Sequence, residues 1–126
     1  MQIKEIIVIG SGGFLGAISR YLASGWVQNR FNHPFPFGTM MVNVTGSFII
    51  GLLMGIIQNS TVSPLWRLFI GIGFLGAYTT FSTFSYETMM LLRTGSYMEA
   101  GLNIILSVVL CLLLVFIGYM AGNAII

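Results

Sequence analysis

The stretch Gly71-Ile72-Gly73-Phe74-Leu75-Gly76-Ala77-Tyr78-Thr79-Thr80-Phe81-Ser82-Thr83-Phe84-Ser85-Tyr86-Glu87 decides how this chain folds. It lies in an apolar segment running from about Leu65 to Leu92, longer than the roughly 20 residues that one straight membrane crossing needs. Its first half holds Gly71, Gly73 and Gly76, and its centre is a run of Thr, Ser and Phe. These are weak helix formers, and the hydroxyls offer the backbone competing hydrogen bonds. The run therefore predicts a break in the helix. Broken backbone at membrane depth survives only where protein buries it or where it lines a cavity, and its freed carbonyls can hold a cation.

Outward from this stretch, three more windows are long and apolar enough to span: about Ile6 to Trp26, Gly38 to Ile57 and Ala100 to Ile126. The breakers sit between them, in Gln28-Asn29-Arg30-Phe31-Asn32-His33-Pro34 with Pro36, in Gln58-Asn59-Ser60-Thr61-Val62-Ser63-Pro64, and in Arg93-Thr94-Gly95-Ser96. Such short connections predict one antiparallel four-helix domain over 1–126. A membrane barrel is excluded, because barrels start at about eight strands. The first apolar run does not give way to a polar mature chain as a cleaved signal would, so it is read as a retained helix.

Composition agrees. The 126 residues are 56% hydrophobic and only 6% charged, against about 25% charged in soluble domains. A single His (His33) and a single Cys (Cys111) disfavour His/Cys metal clusters and Ser-His-Asp catalysis, and the lone Cys allows no intrachain disulfide. The net charge of +2 comes from scattered cations, with no basic patch for nucleic acid. His33, in a Pro-rich loop, is expected to be solvated.

Four crossings place Lys4 and Arg67 on one side and Arg30 and Arg93 on the other. Flanking Lys/Arg normally sets orientation. Balanced cations give no strong reason to insert one way, so both orientations are expected, paired as an antiparallel, dual-topology homodimer. Small residues recur at helix-packing spacing (Gly12/Gly16, Gly13/Ala17, Gly51/Gly55, Gly118/Gly122) and let helix backbones approach closely.

In so apolar a chain the polar residues carry the information, since each is costly in hydrocarbon unless partnered. Thr39, Asn43 and Ser47 share one face of the second segment, and Asn103, Ser107 and Cys111 one face of the fourth. Each stripe reads either as interhelical hydrogen bonding or as the wall of a wetted path. Phe81 and Phe84 also share a face; they are core packing or, with Ser82, Thr83 and Ser85 interleaved, an anion-facing wall, because aromatic rings have positive edges. Arg20 either attracts anions at a pore mouth or snorkels to headgroups. Glu87 either lines a vestibule or partners a polar neighbour. The run Gly10-Ser11-Gly12-Gly13-Phe14-Leu15-Gly16 imitates a dinucleotide-binding turn, but the fingerprint wants Gly where Leu15 stands and an acid about 20 residues on; none lies between Glu5 and Glu87.

Three stretches, Gly13-Phe14-Leu15-Gly16-Ala17-Ile18-Ser19-Arg20-Tyr21, Gly38-Thr39-Met40-Met41-Val42-Asn43-Val44-Thr45-Gly46-Ser47-Phe48 and Gly73 to Ser85, together resemble the small dual-topology fluoride channels of the CrcB/Fluc family. The resemblance implies an inner-membrane, multi-pass all-α protein with a broken third helix, assembled in lipid as an antiparallel homodimer that exports fluoride passively through two pores. It implies a pore lined by Phe81, Phe84, Asn43, Ser82, Thr83, Ser85, Ser107 and Glu87, with Arg20 at the vestibule. It further implies a structural Na⁺ held by the backbone carbonyls of Gly76 and Thr79. Ala77 stands where a second glycine is common, and Cys111 where a hydroxyl would continue the fourth-segment stripe. Two other classes share the gross layout: a small multidrug exchanger, which needs a carboxylate in the first helix, and a non-transporting membrane assembly subunit, which would use the glycine pairs but not the polar stripes.

Overall fold

The computed structural model describes Gln2–Ile125. Four helical spans long and apolar enough to cross a membrane run Ile3–Gln28, Phe37–Asn59, Pro64–Arg93 and Tyr97–Ala124. We call them α1, α2, α3 and α4. Each extends one to three residues past the predicted N-terminal edge and up to two past the C-terminal one, except that α4 closes at Ala124; Ile126, its expected last residue, lies outside the described residues.

The connections explain the ends. At the α1–α2 corner one side chain closes the turn: the Gln28 amide donates to the carbonyl of Phe35 (3.0 Å) and accepts from the N–H of Gly38 (2.9 Å). His33 is exposed as expected, yet its Nδ1 accepts from the Phe35 N–H at 3.1 Å, so it holds the loop as well as meeting water. After α3 the chain turns through Gly95, whose φ of +83° is the sole positive φ among the described residues. The Ser96 N–H returns to the Leu91 carbonyl (2.8 Å) and the Gly95 N–H to Leu92 (3.2 Å), the glycine-dependent helix stop.

Packing rests on backbone contact. The most extensive interface is α2 against α4. A Cβ added at Gly51 or Gly55 would collide with the Val115 or Tyr119 carbonyl, and one at Gly118 or Gly122 with that of Phe48 or Leu52. The two predicted pairs thus interlock with each other. Gly12 and Gly16 similarly meet the carbonyls of Phe69 and Phe74 on α3. Gly13 is different: a Cβ on it would have only the Gly73 carbonyl nearby, at an ordinary 3.7 Å, and it is Gly73 that has to lack a side chain there, since a Cβ on it would come within 3.1 Å of the Gly13 nitrogen. At the end of the α2–α4 seam Asn59 donates to Asn123 Oδ1 (2.6 Å) and to its carbonyl (3.0 Å).

The third span is interrupted, and not uniformly α-helical before the interruption. Arg67–Leu75 forms a π-helix, a wider turn that sequence periodicity did not signal, and Gly76–Tyr78 a single α turn. Thr79 and Thr80 are then fully extended (φ, ψ of −87°, 156° and −151°, 116°). The helix restarts over Phe81–Arg93. Because the break uses extended rather than left-handed backbone, no positive-φ glycine is needed within it, and Ala77 sits in the helical turn without strain.

Overpacking at such a crossing costs about 1–3 kcal/mol. Gly122→Val should therefore lower the thermal unfolding midpoint in detergent markedly. Gly10→Ala, where the added Cβ meets open space, should leave it unchanged or slightly raised.

Candidate functional site

The break is held by one side chain from α2. The Thr80 N–H donates to Asn43 Oδ1 at 2.7 Å, and Asn43 Nδ2 donates to the Thr80 carbonyl at 3.0 Å. The amide thus pairs with an extended residue as a neighbouring strand would, satisfying both backbone groups that the helix has released. The Thr80 hydroxyl then caps the restarted helix, accepting from the Thr83 N–H at 3.1 Å, the usual role of an N-cap hydroxyl. Close approach is possible because α2 presents Gly46 there: a Cβ on it would run into the Thr79 methyl group. One turn away the Tyr78 hydroxyl meets Thr45 Oγ1 at 3.0 Å, and the Tyr78 ring stacks on Phe74 with centroids 5.8 Å apart.

Not every backbone group at the break is satisfied. Among the described residues, no hydrogen bond ends on the carbonyls of Gly76 or Thr79. Both residues line an open groove of about 450 Å³ walled by α2, α3 and α4. Asn43, Ser47, Thr80, Phe81, Phe84, Ser107 and Cys111 line the same groove. Two residues of each sequence stripe, Asn43 with Ser47 and Ser107 with Cys111, therefore converge with the two phenylalanines on one place, while Thr39 and Asn103 do not reach it. Phe81 is 77% exposed, Phe84 half-buried, and their ring centroids lie 5.5 Å apart with planes tilted by 38°.

The hydroxyls are less uniform than their spacing suggested. Ser82 meets Thr80 Oγ1 at 3.3 Å, and Thr83 Oγ1 accepts from Thr80 at 3.1 Å, which leaves the Thr83 O–H free. The Ser85 O–H is taken by the Phe81 carbonyl at 2.8 Å. Ser82, Thr83 and Ser85 belong to the restarted helix but do not line the groove. Ser107 does, and its hydroxyl donates to Asn103 Oδ1 at 3.2 Å. Asn103, 1% exposed, in turn donates to Thr88 Oγ1 at 2.9 Å, and Thr88 donates to the Phe84 carbonyl at 2.7 Å. At the upper half of α4 the stripe is thus interhelical bonding, and only from Ser107 onward does it wall the groove. Thr88 was missed in the sequence; its position four residues after Phe84, on the same helix face, was the available signal.

Arg20 and Glu87 lie outside the groove. Each is only partly exposed, and each keeps one buried atom without a partner, Arg20 Nε and Glu87 Oε1. Thr39, the first member of the α2 stripe, is beside Glu87.

Fold and site together define a small polytopic membrane protein whose interrupted helix opens onto a lateral groove. A family model described as "CrcB-like protein, Camphor Resistance (CrcB)" matches residues 7–119. Proteins named "Fluoride-specific ion channel FluC" are similar: one from Campylobacter jejuni is 51% identical over 119 residues (94% of this chain, 98% of the relative). One from Campylobacter lari is 48% identical over 119 residues (94% and 98%), and one from Shewanella baltica 46% over 115 (91% and 93%). The chain belongs to the CrcB family. It is accordingly a multi-pass protein of the inner membrane and not an enzyme.

Replacing Asn43 by Leu would leave the Thr80 N–H and carbonyl unpaired, at about 1–3 kcal/mol for each buried group. We expect Asn43→Leu to lower the unfolding midpoint in detergent strongly. Asn43→Asp, which keeps the acceptor for the N–H, should fall between it and the parent chain.

Proposed function

We propose that the chain is a fluoride channel, conducting passively through two pores at the seam of an antiparallel homodimer. The groove carries this reading. It exposes unpaired carbonyls and two phenylalanine rings on the flank of a chain that otherwise presents apolar side chains to lipid. Hydrocarbon cannot cover broken backbone, whereas a second copy can. The balance of Lys4 and Arg67 against Arg30 and Arg93 favours insertion both ways, and inverted copies would bring their two breaks together. The Gly76 and Thr79 carbonyls of each copy would then offer oxygen ligands to a structural Na⁺, a use that unwound backbone serves elsewhere in membrane proteins. That ion would neutralise facing carbonyl dipoles.

Fluoride is small and tightly hydrated, so every water removed has to be replaced by a close donor. Asn43 retains one amide N–H beyond its bond to Thr80, Thr83 retains its O–H, and Phe81 and Phe84 offer positive ring edges. Ser82, Ser85, Ser107 and Glu87 would continue the polar lining, and Arg20 would raise the local anion concentration at the mouth. A pore of fluoride's width would exclude larger halides. Downhill flow suits the chain, since α1 has no carboxylate between Ile6 and Trp26 with which to couple exchange. The support from relatives is that proteins about half identical over nearly their whole length are named fluoride-specific channels.

Liposomes holding the purified protein should release fluoride, read by ion electrode, far faster than chloride; equal or absent release would overturn the reading. Phe81→Ile should slow fluoride release by about tenfold, the equivalent of one lost ring-edge contact of ~1.4 kcal/mol, without altering the size of the assembly. A cysteine placed at the N-terminus of a Cys111→Ser background should label from both sides of the membrane. Labelling from one side alone would remove the antiparallel arrangement.

A further inference from the structure

The bonds around Asn103 fix a direction that bears on how Ser107 meets the groove. Thr88 Oγ1 lies 2.7 Å from the Phe84 carbonyl, and a carbonyl only accepts, so the single Thr88 proton points there. Thr88 then has only lone pairs for Asn103, whose nitrogen must face it at 2.9 Å. The Asn103 oxygen is thereby turned to Ser107, 3.2 Å away, and an amide oxygen too only accepts. The Ser107 proton is therefore spent on Asn103, and what Ser107 shows the groove is lone pairs.

We propose that Asn103 and Thr88 are positioning residues that keep the Ser107 hydroxyl from donating to an anion in the groove, leaving that work to Asn43 and the phenylalanine edges. The inference rests on the fluoride-channel reading for its functional consequence, but not for the hydrogen-bond direction. Anions take donors and reject lone pairs. Holding Ser107 as an acceptor weakens the hold on fluoride at this point, and an ion that is to pass must be bound only weakly enough to leave. Burial enforces the arrangement: Asn103 is among the two largest fully buried side chains, and in such surroundings neither of its amide atoms can turn to water instead.

Removing the Asn103 acceptor frees the Ser107 proton. Asn103→Leu should lower the fluoride concentration giving half-maximal efflux from liposomes by about three- to tenfold, the span of one net hydrogen bond. Thr88→Val should act in the same direction, because the Asn103 nitrogen, losing its acceptor, turns to Ser107. Both effects should vanish in a Ser107→Ala background. An unchanged half-maximal concentration, or a change that persists without the Ser107 hydroxyl, would overturn the proposal. A second measurement needs no transport and no Asn103 variant: deuterium exchange of the Asn103 side-chain amide, followed by NMR in detergent micelles. Slow exchange should be lost in Thr88→Val and kept in Ser107→Ala, and the reverse pattern would show the opposite bond direction. If the parent chain released no fluoride the channel reading would fall, while the exchange experiment would still judge the bond direction by itself.

Discussion

A bilayer core offers no water to a peptide group, and the two extended residues Thr79 and Thr80 stand midway along a span long and apolar enough to cross it. Everything near them answers that constraint. Two of the released backbone groups are paired by one asparagine, whose amide reproduces the donor and acceptor of a strand neighbour. A third need, the first turn of the restarted helix, is met by the Thr80 hydroxyl. The carbonyls of Gly76 and Thr79 have no such partner among the described residues, and both residues line the open groove. An unpaired carbonyl in hydrocarbon costs several kcal/mol, so these two groups say more about what must lie opposite than any apolar surface does.

The glycines bear on the same question from the other side. Small-residue pairs are the usual means by which membrane helices associate, and this chain has several. The structure spends them internally: Gly51, Gly55, Gly118 and Gly122 interlock α2 with α4, and Gly12 and Gly16 seat α1 on α3. They hold one copy together. A partner copy would accordingly have to be held by what the groove offers, namely aromatic rings, a few hydroxyls and the exposed carbonyls. Such a seam can be wet along part of its length, which a glycine-zippered seam could not.

The four spans were legible because each has enough consecutive apolar residues and ends in Pro, Gly, Asn or Gln, signals that are local. The break was legible for the same reason: Thr79 to Ser85 is a run of residues that compete with helical bonding. What lay beyond reading was the partner of each polar group. Asn43 was placed on the right face, but that its amide would be largely consumed by Thr80, 37 residues on, depends on how α2 crosses α3. Asn103 read equally as interhelical bonding or as the wall of a path, and which of the two holds was decided by its partner Thr88 on another helix, which buries it. The π-helix over Arg67–Leu75 left no mark in the spacing of apolar residues, since the segment is apolar all round and any helical pitch would bury it equally well. Ala77 stands where a second glycine is common, but it lies in the helical turn before an extended break, which asks no positive φ of it.

The hydroxyls give a more general lesson about anion paths in membranes. In a helix, a Ser or Thr side chain has the carbonyl one turn back within reach, and without competing water it takes it. Thr45, Thr79, Ser85 and Thr88 all donate to the carbonyl four residues earlier, at 2.7 to 2.9 Å. Each then shows its surroundings only lone pairs. A stripe of hydroxyls counted in sequence therefore overstates the donors available to an anion, and it overstates them most where the helix is most regular. Donors survive where regularity fails or where the group has a proton to spare: at Thr83, whose hydroxyl accepts from that of Thr80 instead of donating to a carbonyl, and at Asn43, whose nitrogen carries two. Both stand at the break. An interrupted helix thus does more than free carbonyls for a cation, because it is also the place where an otherwise self-satisfied chain has N–H and O–H groups left to give a small anion.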